Sequence, residues 1–138
     1  MKITARAEYA VLALFELALG TPDRQLQARE IAARQRIPLR FLEQILMQLK
    51  RAGLVKSVRG ASGGYLLGKL PSEITLKDII EAVEGELSLL DPHLSTGSLV
   101  SQVWQEVEEC LQDKLASITV QELVRRKIRQ DGILTYQI

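Results

Sequence analysis

Between residues 37 and 69 the apolar positions change period. Leu42, Ile45, Leu46 and Leu49 recur at helical spacing and predict one buried face, while Arg40, Glu43, Gln44, Met47, Gln48 and Arg51 fill the other. Pro38 suits the first position of this helix, where its missing N–H would be unpaired in any case, and Gly53 stops it. Two short strands follow, Leu54–Val58 and Tyr65–Leu67, joined by Arg59-Gly60-Ala61-Ser62-Gly63-Gly64. Upstream, Thr4 can cap a helix reaching about Leu19. Tyr9, Leu12, Phe15 and Leu19 form its stripe. Ala10, Val11, Ala13 and Leu14 widen that stripe until the helix is apolar nearly all round, which predicts burial on more than one side. Gly20-Thr21-Pro22 ends it. Gln27–Gln35 is a short helix with Ile31 and Ala32 inward and no strong N-cap, and Arg36-Ile37-Pro38 is the turn into the next helix.

Beyond the strands, Thr75-Leu76-Lys77-Asp78 reads as a capping box. Ile79, Ile80 and Val83 face inward and Gly85 closes the helix, which sets a boundary between residues 1–85 and 86–138. Glu86–Ser98, with Asp91-Pro92, Ser95 and Gly97, is irregular. A long helix then runs from about Ser98 to Ala116, roughly 30 Å at 1.5 Å per residue. Its stripe is Val100, Val103, Trp104, Val107, Leu111 and Leu115. One lone helix with that much apolar surface needs a partner, and a second copy of the chain is the simplest one. Thr119-Val120-Gln121-Glu122 opens a last helix, with Leu123, Val124 and Ile128 inward, that packs back on the first domain. Arg125, Arg126, Lys127 and Arg129 are read as basic residues of its final turn, favoured by the helix dipole, rather than as a second polyanion site.

The fold expected is therefore mainly α. Residues 1–85 form a winged helix-turn-helix domain with a small two-stranded wing, and residues 86–138 hold a loop, a long dimerisation helix and a C-terminal helix. In such a domain the second helix of the turn enters the DNA major groove. Charge supports this. Residues 1–69 carry 12 Lys and Arg against 5 Asp and Glu, a balance of +7; residues 70–138 carry 6 against 12, a balance of −6. Lys50, Arg51, Lys56, Arg59 and Lys69 flank or occupy the hairpin, with no acidic residue between Glu43 and Glu73. Only the first half is suited to a polyanion. The candidate DNA contacts are Arg40, Glu43, Gln44, Met47 and Arg51 of the helix and Lys56, Arg59, Gly60, Ser62 and Gly63 of the wing. Gln pairs bidentately with adenine and Glu accepts from the cytosine amino group. The wing glycines read equally as a flexible hairpin tip. A nucleotide loop fits them less well, because no G-x-x-x-x-G-K-[ST] occurs and the loop does not lead from a strand into a helix.

The chain has 138 residues, 46% hydrophobic and 25% charged, enough for one domain with a real core or a small domain plus an oligomerisation arm. Its single cysteine, Cys110, argues against a disulfide scaffold and for a reducing, cytoplasmic compartment. Beside Val107 and Leu111 it reads as a small buried hydrophobe. Glu8 and Glu16 bracket and interrupt the run Ala10–Leu19, so helical packing explains that run better than a signal peptide does. No run is long enough to cross a bilayer. One His, one Cys and no Ser/His/Asp grouping give no catalytic constellation, so no enzyme is expected.

Several segments together resemble the Rrf2 family of bacterial winged-helix regulators, and the likeness covers nearly the whole chain. They are Thr4-Ala5-Arg6-Ala7-Glu8-Tyr9-Ala10, Leu42-Glu43-Gln44, Gly53-Leu54-Val55, Ser57-Val58-Arg59-Gly60, Gly63-Gly64-Tyr65-Leu66-Leu67 and Ile118-Thr119 to Glu122-Leu123. The resemblance implies a homodimer paired through the long helix that reads a near-palindromic operator. Glu43 and Gln44 would meet base edges and Arg59 the minor groove. Arg40 stands where relatives often have a small polar residue. Many members hold an iron–sulfur cluster with three cysteines in the sensor loop that corresponds here to Glu86–Leu99. That stretch has none, only His93, so the chain is expected to lack the cluster and to hold no metal. Glu8, aligned with a cluster-ligating carboxylate of some relatives, is then an ordinary helix residue. The reading is a transcriptional regulator, taken as a repressor, with double-stranded DNA as partner and the effector, protein or small molecule, unspecified. The alternative is a non-enzymatic winged-helix adaptor whose main partner is a protein.

Overall fold

Six helices and one antiparallel hairpin succeed one another in the computed structural model, which describes residues 2–20, 24–91, 93 and 97–136, the last four as backbone only. Thr21, Pro22, Pro92 and Ser95, expected in the breaks after the first helix and before the long one, lie outside the described residues.

Helix α1, Ala5–Leu19, starts where the Thr4 hydroxyl oxygen accepts the Ala7 N–H at 3.1 Å. The same hydroxyl donates to Glu84, tying this end to a later helix. The buried face is Ala7, Ala10, Ala13, Leu14 and Leu17. The stripe expected from the larger side chains is displaced: Tyr9, Leu12 and Phe15 are half-buried and Leu19 is exposed. Small side chains let several elements approach the helix closely, and α1 touches α2, α3, α4, α6 and β2. Its buried Glu16 accepts from Gln35 Nε2 at 2.6 Å and lies 3.6 Å from Arg34 Nη1. Those residues end α2, Ala28–Gln35. The α2 N-terminus is better capped than its sequence suggested, because the Glu30 carboxylate accepts the Gln27 N–H at 3.5 Å. Arg36 closes the helix with φ of 56°, in the left-handed region.

Helix α3, Leu39–Arg51, has Pro38 as N-cap, one position ahead of its expected place. Leu42, Ile45, Leu46 and Leu49 are fully buried. The helix ends in a Schellman motif: Leu54 N–H donates to Leu49 O at 2.9 Å and Gly53 N–H to Lys50 O at 3.0 Å. This needs φ of 78° at Gly53, a conformation that glycine adopts without steric cost. Buried Leu54 then turns the chain directly into β1, Val55–Val58, which pairs with β2, Gly64–Leu67, in the register Val55 to Leu67 and Val58 to Gly64.

After a 3₁₀ turn at Pro71–Glu73, Thr75 and Asp78 cap each other reciprocally, at 3.0 and 3.1 Å, to open α4, Leu76–Glu84. Ile79, Ile80 and Val83 complete the core. Helix α5, Leu99–Ser117, is capped by Ser98, and α6, Val120–Tyr136, by Thr119. The start of α6 is stitched to the entry of α4: Leu76 N–H donates to Ile118 O and Val120 N–H to Ile74 O, both at 2.9 Å, and Val120 is fully buried. Ile128, expected inward, is 64% exposed. The basic run does not form a final turn either, because α6 continues past it to Tyr136. Arg126 and Arg129 pair with Glu122 at 3.2 and 3.4 Å, and Lys127 with Asp131 at 3.1 Å.

Candidate nucleic-acid interface

Burying Leu42, Ile45, Leu46 and Leu49 fixes which way α3 faces. Arg40, Glu43, Gln44, Met47, Lys50 and Arg51 are all exposed. Arg51 Nη2 leans on Met47 Sδ at 3.6 Å. Lys50 and Arg51 in the last turn also suit the negative end of the helix dipole. The exposed run continues through β1 as Lys56, Ser57 and Val58 and into the loop as Arg59, Gly60, Ala61 and Ser62.

Cations outside any ion pair concentrate on this surface, although among the described residues Lys2, Arg6, Arg24, Arg29, Arg36, Lys77, Lys114 and Arg125 elsewhere make none either. Among the described residues, Arg40, Glu43, Lys50, Arg51, Lys56, Arg59 and Lys69 make no ion pair, whereas Arg34, Arg126, Lys127 and Arg129 all do. A line of unneutralised cations on one helix and its adjoining hairpin is the electrostatic footprint of a phosphate-binding surface.

Gly63 does not belong with the surface contacts expected of the wing. It is buried, its N–H donates to Gly60 O at 3.0 Å, and a Cβ there would stand 2.3 Å from Val58 O. At Gly64 a Cβ would stand 2.5 Å from Leu26 O. Leu26 pairs with Tyr65 as a one-residue third strand, through hydrogen bonds of 3.0 and 2.7 Å. These glycines are required by close backbone approach, not by a need for flexibility. The pairing joins segments far apart in sequence and left no local periodicity to find; the adjacent glycines were its only trace.

The residues proposed for dimerisation divide into two groups. Val100, Val103, Trp104 and Val107 are 62, 46, 50 and 44% exposed, and Leu99 beside them, outside the proposed set, is 77% exposed. Leu111 and Leu115 are half-buried and turn instead toward α1 and α4 of the same chain, lining a cleft of about 500 Å³ with Ala7, Ile80, Leu87 and Leu89, and Leu115 packs on the core. Glu108 holds the Leu89 N–H at 3.1 Å and Gln112 the Leu87 carbonyl at 3.0 Å, so this half of α5 is pinned to the loop after α4. Cys110 is exposed, contrary to its expected burial, because it falls three residues after Val107 on the outward side.

The chain matches the family model Rrf2, described as an iron-dependent transcriptional regulator, over residues 3–126. It belongs to the Rrf2 family. It is 35% identical to the HTH-type transcriptional regulator IscR of Pectobacterium carotovorum, covering 92% of this chain and 81% of that one. Its fold matches CymR, the global cysteine regulator of B. subtilis, with a TM-score of 0.83 and 32% identity over 91% of this chain and 98% of CymR. It also matches T. potens IscR with a TM-score of 0.78 and 36% identity, over 92% and 88%. The protein is thus a DNA-binding transcriptional regulator with a winged helix-turn-helix.

The iron dependence in the family description calls for a donor set. A cluster needs several thiolates or imidazoles close together. The chain has one Cys and one His, and among the described residues no three His, Cys, Asp or Glu side chains come together as a metal site. Cys110 and His93 are both exposed. These donors do not fit a cysteine-ligated cluster. Among the described residues no helix is long and apolar enough to cross a membrane.

Proposed function

We propose that this Rrf2 regulator is a homodimeric repressor of the bacterial cytoplasm that binds a near-palindromic operator without a resident metal cluster. The observation that carries the reading is the unpaired basic surface of α3 and the wing, with Glu43 and Gln44 exposed in its middle. Phosphate contacts from Arg51 and Lys56 supply affinity and position, Arg59 enters the minor groove, and Glu43 and Gln44, beside Arg40 and Met47, select sequence. A carboxylate among phosphates is costly unless it meets a donor such as the cytosine amino group, so Glu43 rejects sequences as much as it selects them. The exposed stripe Val100–Val107 supports pairing of two copies along α5. The protein acts by binding alone and needs no catalytic group.

The test is selection of bound DNA from a random pool, followed by fluorescence anisotropy on an operator series at several salt concentrations. Glu43→Ala should relax discrimination at one base pair per half-site. Arg59→Ala should weaken binding to all sequences and reduce the salt slope by about one unit per subunit. Equal losses on every sequence for Glu43→Ala, with base preference unchanged, would place sequence reading elsewhere.

A further inference from the structure

A two-stranded hairpin is marginal by itself, and among the described residues the turn that carries Arg59 is crossed, outside the strand pairing, by one backbone bond, Gly63 to Gly60. The segment between α1 and α2 supplies the rest. One step from the loop end of the hairpin, Leu26 and Tyr65 exchange both backbone bonds along the free edge of β2. At its tip, the half-buried Gln25 reaches across with Nε2 donating to the Ser62 carbonyl at 2.6 Å. Arg59 itself is exposed and, among the described residues, has no ion pair. Where its guanidinium meets DNA is therefore decided by the backbone of residues 59–63. Gln25 precedes α2, and α2 packs on α3, so the strap joins the helix that supports the recognition helix to the wing tip.

We propose that Gln25 is a positioning residue for the wing: its bond to Ser62 holds the 59–63 turn at the height where Arg59 enters the minor groove, and so couples wing contact to the seat of the recognition helix. This rests on the operator-binding reading above. Gln25 touches no DNA in this proposal and acts only through Arg59.

The experiment is a double-mutant cycle on the full-length protein with the selected operator, using Gln25→Met, which keeps length and shape but donates no hydrogen bond, together with Arg59→Ala. Amide hydrogen exchange of the free protein is measured alongside. Gln25→Met should lower operator affinity by about three- to tenfold and lose most of that effect when Arg59 is already Ala. Exchange should rise at residues 60–64 while Lys56 and the α3 amides keep their protection. Additive losses, or unchanged exchange at the tip, overturn the positioning role while leaving DNA binding by α3 intact. If Arg59→Ala binds like the parent protein, the wing contact itself fails, and the proposal with it. A Gln25→Met protein that loses protection throughout would mark a general packing role and would also overturn it.

Discussion

Val107→Asp is the sharpest test of the proposed pairing. The five exposed apolar residues of α5 leave on the order of 500 Å² of apolar surface per protomer, worth roughly 12 kcal/mol at about 25 cal/mol per Å², as an upper figure. Two such faces exceed the about 4–15 kcal/mol that association costs in lost freedom. An aspartate at 107 places an unpaired carboxylate in the seam from each chain. At about 3–5 kcal/mol for each buried, unpartnered charge, the dimer loses roughly 6–10 kcal/mol, a weakening of at least about 10⁴-fold. Sedimentation velocity across micromolar concentrations reads this directly, with thermal unfolding of the monomer as the check that the domain survives. Gln102→Asp, on the solvent side of the same helix, is the control. A Val107→Asp protein that sediments as a dimer beside an unchanged control would show that α5 is not the interface.

Two other substitutions probe the frame that carries the site. Gly64→Ala should cost about 1–3 kcal/mol in urea unfolding, because a Cβ 2.5 Å from Leu26 O forces backbone apart; an unchanged midpoint would refute the close approach. Glu16→Ala should cost about 1–3 kcal/mol by leaving Gln35 unpartnered in a part-buried site and removing the nearby Arg34 contact. Glu16→Gln, which keeps an acceptor, should cost less, and equal losses would count against the hydrogen bond.

Helix α3 and its outward residues were legible in the sequence because a single 3.6-residue period separates Leu42, Ile45, Leu46 and Leu49 from Arg40, Glu43 and Gln44. The capping of α4 by Thr75 and Asp78 was equally local. Where an element is apolar on several sides, spacing stops being informative. In α1 the large Tyr9, Leu12 and Phe15 drew the stripe, yet alanines at 7, 10 and 13 occupy the tightest ground, since they admit neighbouring backbones most closely. In α5 one broad stripe serves two surfaces: Leu111 and Leu115 face α1 and α4 of the same chain, and Val100, Val103 and Val107 face outward. No periodicity divides such a stripe. The strap from Gln25 and Leu26 to the wing was invisible for a different reason. It is a pairing across about forty residues that uses one side-chain amide and one backbone edge.

The divided face of α5 makes that helix a lever with its fulcrum at Leu111 and Leu115. In the proposed dimer, the two recognition helices must land about 34 Å apart or a multiple of it, matching the repeat of the duplex. A tilt of about 9° over the arm of roughly 20 Å from that fulcrum to the start of α5 displaces the far end by about 3 Å, close to one base-pair step. The bonds of Glu108 and Gln112 to the loop at residues 87–89 fix that angle. Operator spacing then becomes a ruler for the set of this joint, and whatever repacks the joint shifts the preferred spacer before it changes the bases that are read.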